Sequence, residues 1–153
     1  MGIALALHVL AATVWVGGLF FALVALRPAA AGLPADLRVK LLAQVLAGFF
    51  PWVWAAAAVL LATGLWMVLS VVGGFRAAGL HVHLMLGLGV VMMLLAAHVT
   101  FAPLRRLRHA AAGGHWADAG RHIRQIRIFM AVTLALGLAV VALASGGRYW
   151  FHG

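Results

Sequence analysis

Few side chains in this 153-residue sequence are able to do chemistry. It carries eight histidines, six methionines and six tryptophans, no cysteine, and only two acids, Asp36 and Asp118. Without cysteine, disulfides, thiolate metal sites and thiol nucleophiles are excluded. Both acids fall between apolar runs, so carboxylate relays within those runs and paired-carboxylate catalysis lack their groups. Imidazole remains. His8 interrupts LHVLAATVWVGGLFF, residues 7–21, and His81, His83 and His98 interrupt HVHLMLGLGVVMMLLAAHVT, residues 81–100. An ionisable ring in an apolar run is costly without a partner, so these are the candidate ligands, and metal binding is the chemistry they suggest.

The elements that must position them are membrane helices. Hydrophobic residues make up 67% of the chain and charged residues 8%, against about a quarter charged in soluble domains. Too little polar surface exists to coat a globule in water. About 20 apolar residues cross a bilayer, which predicts four spans, near 3–26, 46–72, 80–103 and 126–145, within one domain covering 1–153. The expected fold is all-α, an up-down four-helix bundle. A cleaved signal peptide is disfavoured for the first run, which is too long and has no basic residues before it. Pro51 is expected in the first turns of the second span, where its missing amide costs little. Residues 114–125, GHWADAGRHIRQ, read mainly as a solvated lead-in to the fourth span, with Trp116 able to anchor at the interface and Asp118 spaced to pair with His122.

The net charge of +9 belongs to the ends of the spans rather than to a nucleic-acid surface. Arg27, Arg38, Lys40, Arg105, Arg106, Arg108, Arg121, Arg124 and Arg127 gather on one side, and Arg76 and Arg148 on the other. The positive-inside rule then places both termini on the periplasmic side, with the basic side against anionic lipid.

Depth and face narrow the histidines. At 1.5 Å rise per residue, His8, His81 and His83 share a layer near the outer surface, and His98 lies about 22 Å beyond His83. In span one, His8, Ala11, Ala12, Trp15, Gly18 and Leu19 form one stripe; in span three, His83, Gly87, Leu94 and His98 form another. His81 is rotated by about 200° from His83. A histidine beside a small residue on each of two helices is a way to clamp haem b, one imidazole on each face of the iron. His8 and His83 are the expected axial ligands, His81 the substitute, and His98 a further metal candidate. Trp15, Gly18 and Gly87 would flank the macrocycle, and Arg76 and Arg148 would meet its propionates. Copper is the competing metal, since imidazole and thioether both bind it, and Met67, Met85, Met92, Met93 and Met130 lie in spans. A cofactor-free subunit of a larger membrane assembly is the third reading.

HVLAATVWVGGLFF with Arg27-Pro28 resembles the start of the copper resistance D (CopD) domain family of bacterial membrane proteins. So do FFPWVWAAAAVLLATGLWM, HVHLMLGLGVVMMLLAAHVTFAPLRRLR and the terminal GRYW. The resemblance implies a four-helix domain of the bacterial inner membrane connected with copper uptake or resistance. A second resemblance is to the HemJ-type membrane protoporphyrinogen oxidases, which bind haem b and have a histidine at the position of His8. Their third span opens with His-x-Lys, where this chain has His81-Val82-His83. That departure argues against porphyrinogen oxidation and leaves a haem site. Together these features predict a haem-binding membrane protein in one-electron transfer with a quinone or a periplasmic partner, an oxidoreductase or a carrier, able to self-associate. Copper handling through the same histidines is the alternative.

Overall fold

Small and aliphatic residues repeat at intervals of four and three along the helices, and this repeat builds the interior. The computed structural model describes residues 1–150, with side chains through Gly146. Span one comprises α1 (Gly2–Phe20), a π-helical segment (Phe21–Leu26) and α2 (Arg27–Ala30). Span two is α3 (Ala35–Ser70), span three is α4 (Leu80–Phe101) continued by α5 (Pro103–Ala112), and span four is α6 (Trp116–Trp150). Among the described residues, four helical segments are long and apolar enough to cross a membrane. The fold is all-helical among the described residues. Span one packs along span two, span three along span four, and spans one and three lie on a diagonal. Arg148 and His152 lie outside the residues whose side chains are described.

Two helices run longer than expected, for one reason. In α3 the buried positions are Val39, Ala43, Leu46, Phe50, Val53, Ala56, Ala57 and Val68, and from Val39 to Ala57 all but Ala56 follow the alternating spacing of a coiled-coil seam. In α6, Ala119, Ile126, Met130, Thr133 and Gly137 are buried, with Ile123 half-buried between them. Each seam begins well before the apolar run does. Pro51 therefore lies in the middle of α3, rather than in its first turns. Residues 116–125 are the packed start of α6 rather than a solvated lead-in. At 1.5 Å per residue, α3 is about 54 Å long, against about 30 Å of bilayer core; the helix exceeds the layer's thickness, and its charged beginning, with Asp36, Arg38 and Lys40, is the part suited to projecting beyond it.

That projecting part meets α5, an element absent from the expected fold. Pro103 occupies its first turn, where a missing amide is harmless. Pro103, Leu104 and Leu107 are buried, and Arg105, Arg106 and Arg108 are exposed. Of the best-packed side chains, Pro103, Leu107 and Ile126 gather towards this basic end, and Val53 lies at mid-bundle. Lys40 at the start of α3 lies 5.2 Å from the Trp116 ring centre, a cation–π contact that joins the beginnings of spans two and four. Asp118 pairs with Arg121, not with His122 as its spacing allowed. In mid-bundle, Trp54 donates to the Thr100 hydroxyl at 3.3 Å, and Thr100 in turn donates to Ala96 O at 2.7 Å.

The π-helical turn in span one has a local cause. Pro28 lacks an amide, and its ring would strike the Val24 carbonyl in regular α-helix. The preceding turn widens, and Arg27 N–H bonds five residues back, to Ala22 O.

Gly17 and Gly18 test the packing as adjacent positions on different faces. A Cβ on Gly18 would collide with the Phe49 ring, whereas one on Gly17 would meet nothing within 4 Å. We expect Gly18→Leu to lower stability in detergent by about 1–3 kcal/mol and Gly17→Leu to change it by less than about 0.5 kcal/mol, measured by thermal unfolding. Equal effects of the two would contradict the packing described.

Candidate metal site

The stripe read along span one faces the interior. Ala11, Trp15 and Leu19 are buried, and His8, Ala12 and Gly18 half-buried. The room left by Gly18 is taken by Phe49 of span two. Trp15, 3% exposed, is a core residue at mid-bundle.

His8 turns towards span two. Its Nδ1 lies 2.8 Å from Thr63 Oγ1, and Thr63 Oγ1 lies 2.6 Å from the carbonyl of Val59. A hydroxyl has one proton and two lone pairs. Because the carbonyl only accepts, the Thr63 proton goes to Val59, and His8 Nδ1–H must donate to Thr63. The imidazole is therefore held as its Nδ1–H tautomer, with the Nε2 lone pair free. Among the described residues no group bonds Nε2, and it is not sealed in the interior. This is the arrangement in which a second group orients a metal-binding histidine. Gly64 completes it: a Cβ there would stand 3.3 Å from His8 Cε1, so any other residue would crowd the ring. Beside this pair, Met1, Ile3, Ala4, Leu7, Ala62 and Trp66 line an open groove that reaches Thr63.

Span three presents the face opposite to the one expected. Met92, Ala96 and Val99 are buried, whereas His83, Gly87, Leu94 and His98 lie away from that buried row. At 100° per residue, His81 and Met85 fall within about 60° of the buried positions, and His83 lies on the far side. His83 and His8 are thus not brought together: the His83 ring points out of the bundle, with Nδ1 3.2 Å from the carbonyl of Gly79 on its own helix. Glycine spacing does not mark a packing face here, since a Cβ on Gly87 would meet nothing within 4 Å. His81, half-buried, folds against Gly79, and its Nδ1 is buried without a hydrogen-bond partner. His98 lies against the Phe129 ring of span four, centroids 4.7 Å apart, so its neighbour is aromatic. Arg76 lies in the 71–79 connection. His109 and His115 are exposed at the basic end.

A bis-histidine haem site through His8 and His83 does not fit this arrangement, because the two rings face different surroundings. Among the described residues no group of three or more His, Cys, Asp or Glu side chains converges. The donors that do share the histidine end of the interior are mixed. His8 lies about 9 Å from the start of α1, Thr63 about 10 Å from the end of α3, and Met85 about 8 Å from the start of α4. Met67 follows Thr63 by one turn and is half-buried, as is Met85. Thr63 and Gly64 do not stand out in the sequence as site residues. Their one signal is a polar residue and a glycine together in an otherwise apolar run, at the depth of His8 on a neighbouring, antiparallel helix.

The family model described as Copper resistance protein D matches residues 43–146, from early in span two to the end of span four. No curated protein and no solved structure matches the chain. The matched stretch contains Thr63, Gly64, Met67, His81 and Met85.

The His8–Thr63 contact is directly measurable. Nitrogen-15 spectra of histidine-labelled protein should show His8 as the Nδ1–H tautomer. Thr63→Val should release that preference and lower stability by about 1–3 kcal/mol, because a donor inside the bundle loses its acceptor. An Nε2–H tautomer in the unaltered protein would overturn the assignment.

Proposed function

Because the chain belongs to the copper resistance protein D (CopD) family, we propose that this multi-pass membrane protein handles copper as cargo and binds it at the histidine end of the bundle, with His8 Nε2 as the first donor. The single observation carrying this reading is the contact of His8 Nδ1 with Thr63 Oγ1, whose own proton goes to the Val59 carbonyl; with Thr63 accepting from Nδ1–H, the free lone pair belongs to the other ring nitrogen.

The surrounding chemistry favours copper over other metals. Thioether sulfur and imidazole are the side chains that suit Cu(I), and half-buried positions at the same end of the bundle as His8 supply both types. Met67 and Met85 stand on the interior faces of spans two and three, and His81 stands one turn from Met85. The Met1 side chain lines the groove that leads to Thr63. Hard carboxylate donors, which suit magnesium, calcium or manganese, are missing from the spans, since Asp36 and Asp118 both lie at the basic end. His8 would bind and orient the ion, Thr63 would hold the ring, Gly64 would keep space beside it, and the inward methionines would accept the ion in turn. With basic residues on the cytoplasmic side, the histidine end opens on the extracytoplasmic side, where copper arrives.

A competitive titration of the purified protein with a coloured Cu(I) chelator tests this. We expect about one Cu(I) per chain at high affinity. Thr63→Val should weaken binding by roughly 10–100-fold, the usual cost of removing the group that orients a ligand. His8→Ala should weaken it at least as much, and His109→Ala should leave it unchanged. Binding indifferent to His8→Ala would sink the proposal. So would stoichiometric iron with a Soret band that His8→Ala abolishes, which would establish the haem reading instead.

A further inference from the structure

A second feature lies at the opposite end of the bundle and stands whether or not the histidine end binds copper. The exposed residues of three helices change character at one level. On α3 the exposed Lys40 and Gln44 precede Pro51, and from Trp52 to Leu69 every exposed residue is apolar. On span three the exposed Phe101 is followed by exposed Arg105, Arg106, Arg108 and His109. On α6 the exposed Arg121 and Arg124 give way at Ile128 to aliphatic and small side chains. Ring contacts join these transitions across the bundle. Trp54 and Phe101 have centroids 6.3 Å apart, and His98 and Phe129 4.7 Å. Tryptophan favours the membrane–water interface, so this aromatic level marks the edge of the apolar layer. Beyond it, the start of α3, α5 and the start of α6 pack as a three-helix head, with Leu107 and Ala119 fully buried inside.

We propose that the outward face of α5 is a docking surface for an acidic protein segment, on the side that the positive-inside rule makes cytoplasmic. Pro103, Leu104 and Leu107 face the head's interior. At 100° per residue, Arg105 and His109 stand opposite them, flanked by Arg106 and Arg108. None of these arginines is neutralised: the one ion pair among the described residues is Asp118 with Arg121, and Asp36 is the only other acid. Guanidinium takes a carboxylate in a two-pronged geometry, and residues three apart on a helix stand about 5–6 Å from one another, within reach of successive acidic side chains. Height favours a protein over the lipid surface. Arg108 and His109 stand about 10–12 Å past Phe101, whereas the headgroups add only about 5–7 Å to each side of the apolar layer. A second copy of the chain is repelled by its own charge. Single-stranded nucleic acid calls for exposed rings on which bases stack; among the described residues of the head none is exposed, and Trp116 is half-buried under Lys40. Topology asks only for basic residues near the span ends. Their alignment on one outward face of a packed helix goes beyond that.

Fluorescence anisotropy of the intact protein in phosphatidylcholine nanodiscs tests this, with a labelled peptide of alternating Glu and Ala as the probe and its Gln–Ala counterpart as the comparison. We expect the acidic peptide to bind and the neutral one not to, with affinity falling as salt rises. Arg105→Gln with Arg108→Gln should weaken binding by roughly 5- to 10-fold. Arg105→Lys with Arg108→Lys should weaken it by less, since the charge stays and the two-pronged geometry goes. Both positions are exposed, so Tm should hardly move in either variant. Arg27→Gln with Arg38→Gln removes equal charge from the same end and should cost less than about 2-fold. Replacing part of the phosphatidylcholine with phosphatidylglycerol should leave peptide binding in place. The proposal is overturned if the two peptides bind alike, or if the Arg27 and Arg38 substitutions cost as much as those on α5. Tighter binding of single-stranded DNA of equal charge would assign the face to nucleic acid instead, and loss of peptide binding in phosphatidylglycerol would assign it to headgroups.

Discussion

Thr63 has a single hydroxyl proton, and the carbonyl of Val59 receives it at 2.6 Å. Everything at the histidine end follows from that. In a membrane interior no water takes up the slack, so each donor must find an acceptor in the protein. Back-bonding from a threonine hydroxyl to its own helix is the ordinary way to satisfy the group, and doing so turns the remaining lone pairs outward. His8 arrives with a proton on Nδ1 and finds an acceptor at 2.8 Å. The ring is fixed in tautomer and in direction by a residue on another helix. A serine could supply the same hydroxyl but rotates more freely, because its Cβ is unbranched. Valine would keep the shape and lose the acceptor.

The interior that brings the two helices together depends on a spacing rather than on hydrophobicity. In lipid, apolar side chains gain nothing by avoiding the tails, and helices associate through close packing and small residues. Gly137 shows it: a Cβ there would stand 2.8 Å from Val16 of span one and 3.2 Å from Met92 of span three. Where the helices leave the apolar layer, the rule changes and burial in the usual sense takes over. Leu107 and Ala119 are fully buried there, in a cluster closed by α5. The exposed arginines of α5 follow from its length: ten residues cannot all face inward.

The number of spans and the all-helical class were legible because they rest on composition and on runs of about 20 residues. The inward stripe of span one was legible for another reason. Trp15 is too large to be indifferent to its neighbours, and it marks the face. Span three has no such marker. Its residues are apolar on every side, and its glycines, open to the surroundings at Gly87 and Gly89, suggested a contact face where there is none. The starts of α3 and α6 were obscured because Asp36, Arg38, Lys40, Arg121 and Arg124 lower the local hydropathy while leaving the seam positions apolar. A search for periodicity, rather than for apolar length, finds both. Thr63 and Gly64 could not be paired with His8 until the neighbours of span one were known, since contact between helices is not written in either helix alone.

Packing is uneven along the bundle, and the unevenness agrees with a division of labour. Above mid-bundle on the histidine side, few side chains are buried, Ala11 and Val68 among them, whereas the basic side holds Val39, Ala43, Leu46, Leu104, Leu107, Ala119 and Ile126. A close-packed interior holds its side chains in single rotamers and resists displacement. The copper site we propose, taking up and releasing an ion, needs the opposite. Imidazole held at one nitrogen can keep its direction while thioethers, unbranched and adaptable, move around it. The rigid end then serves as the fixed frame, with α5 locking spans two, three and four against one another. The hydrogen bond from His8 to Thr63 is what lets the looser end keep one defined direction in surroundings that are otherwise free to adjust.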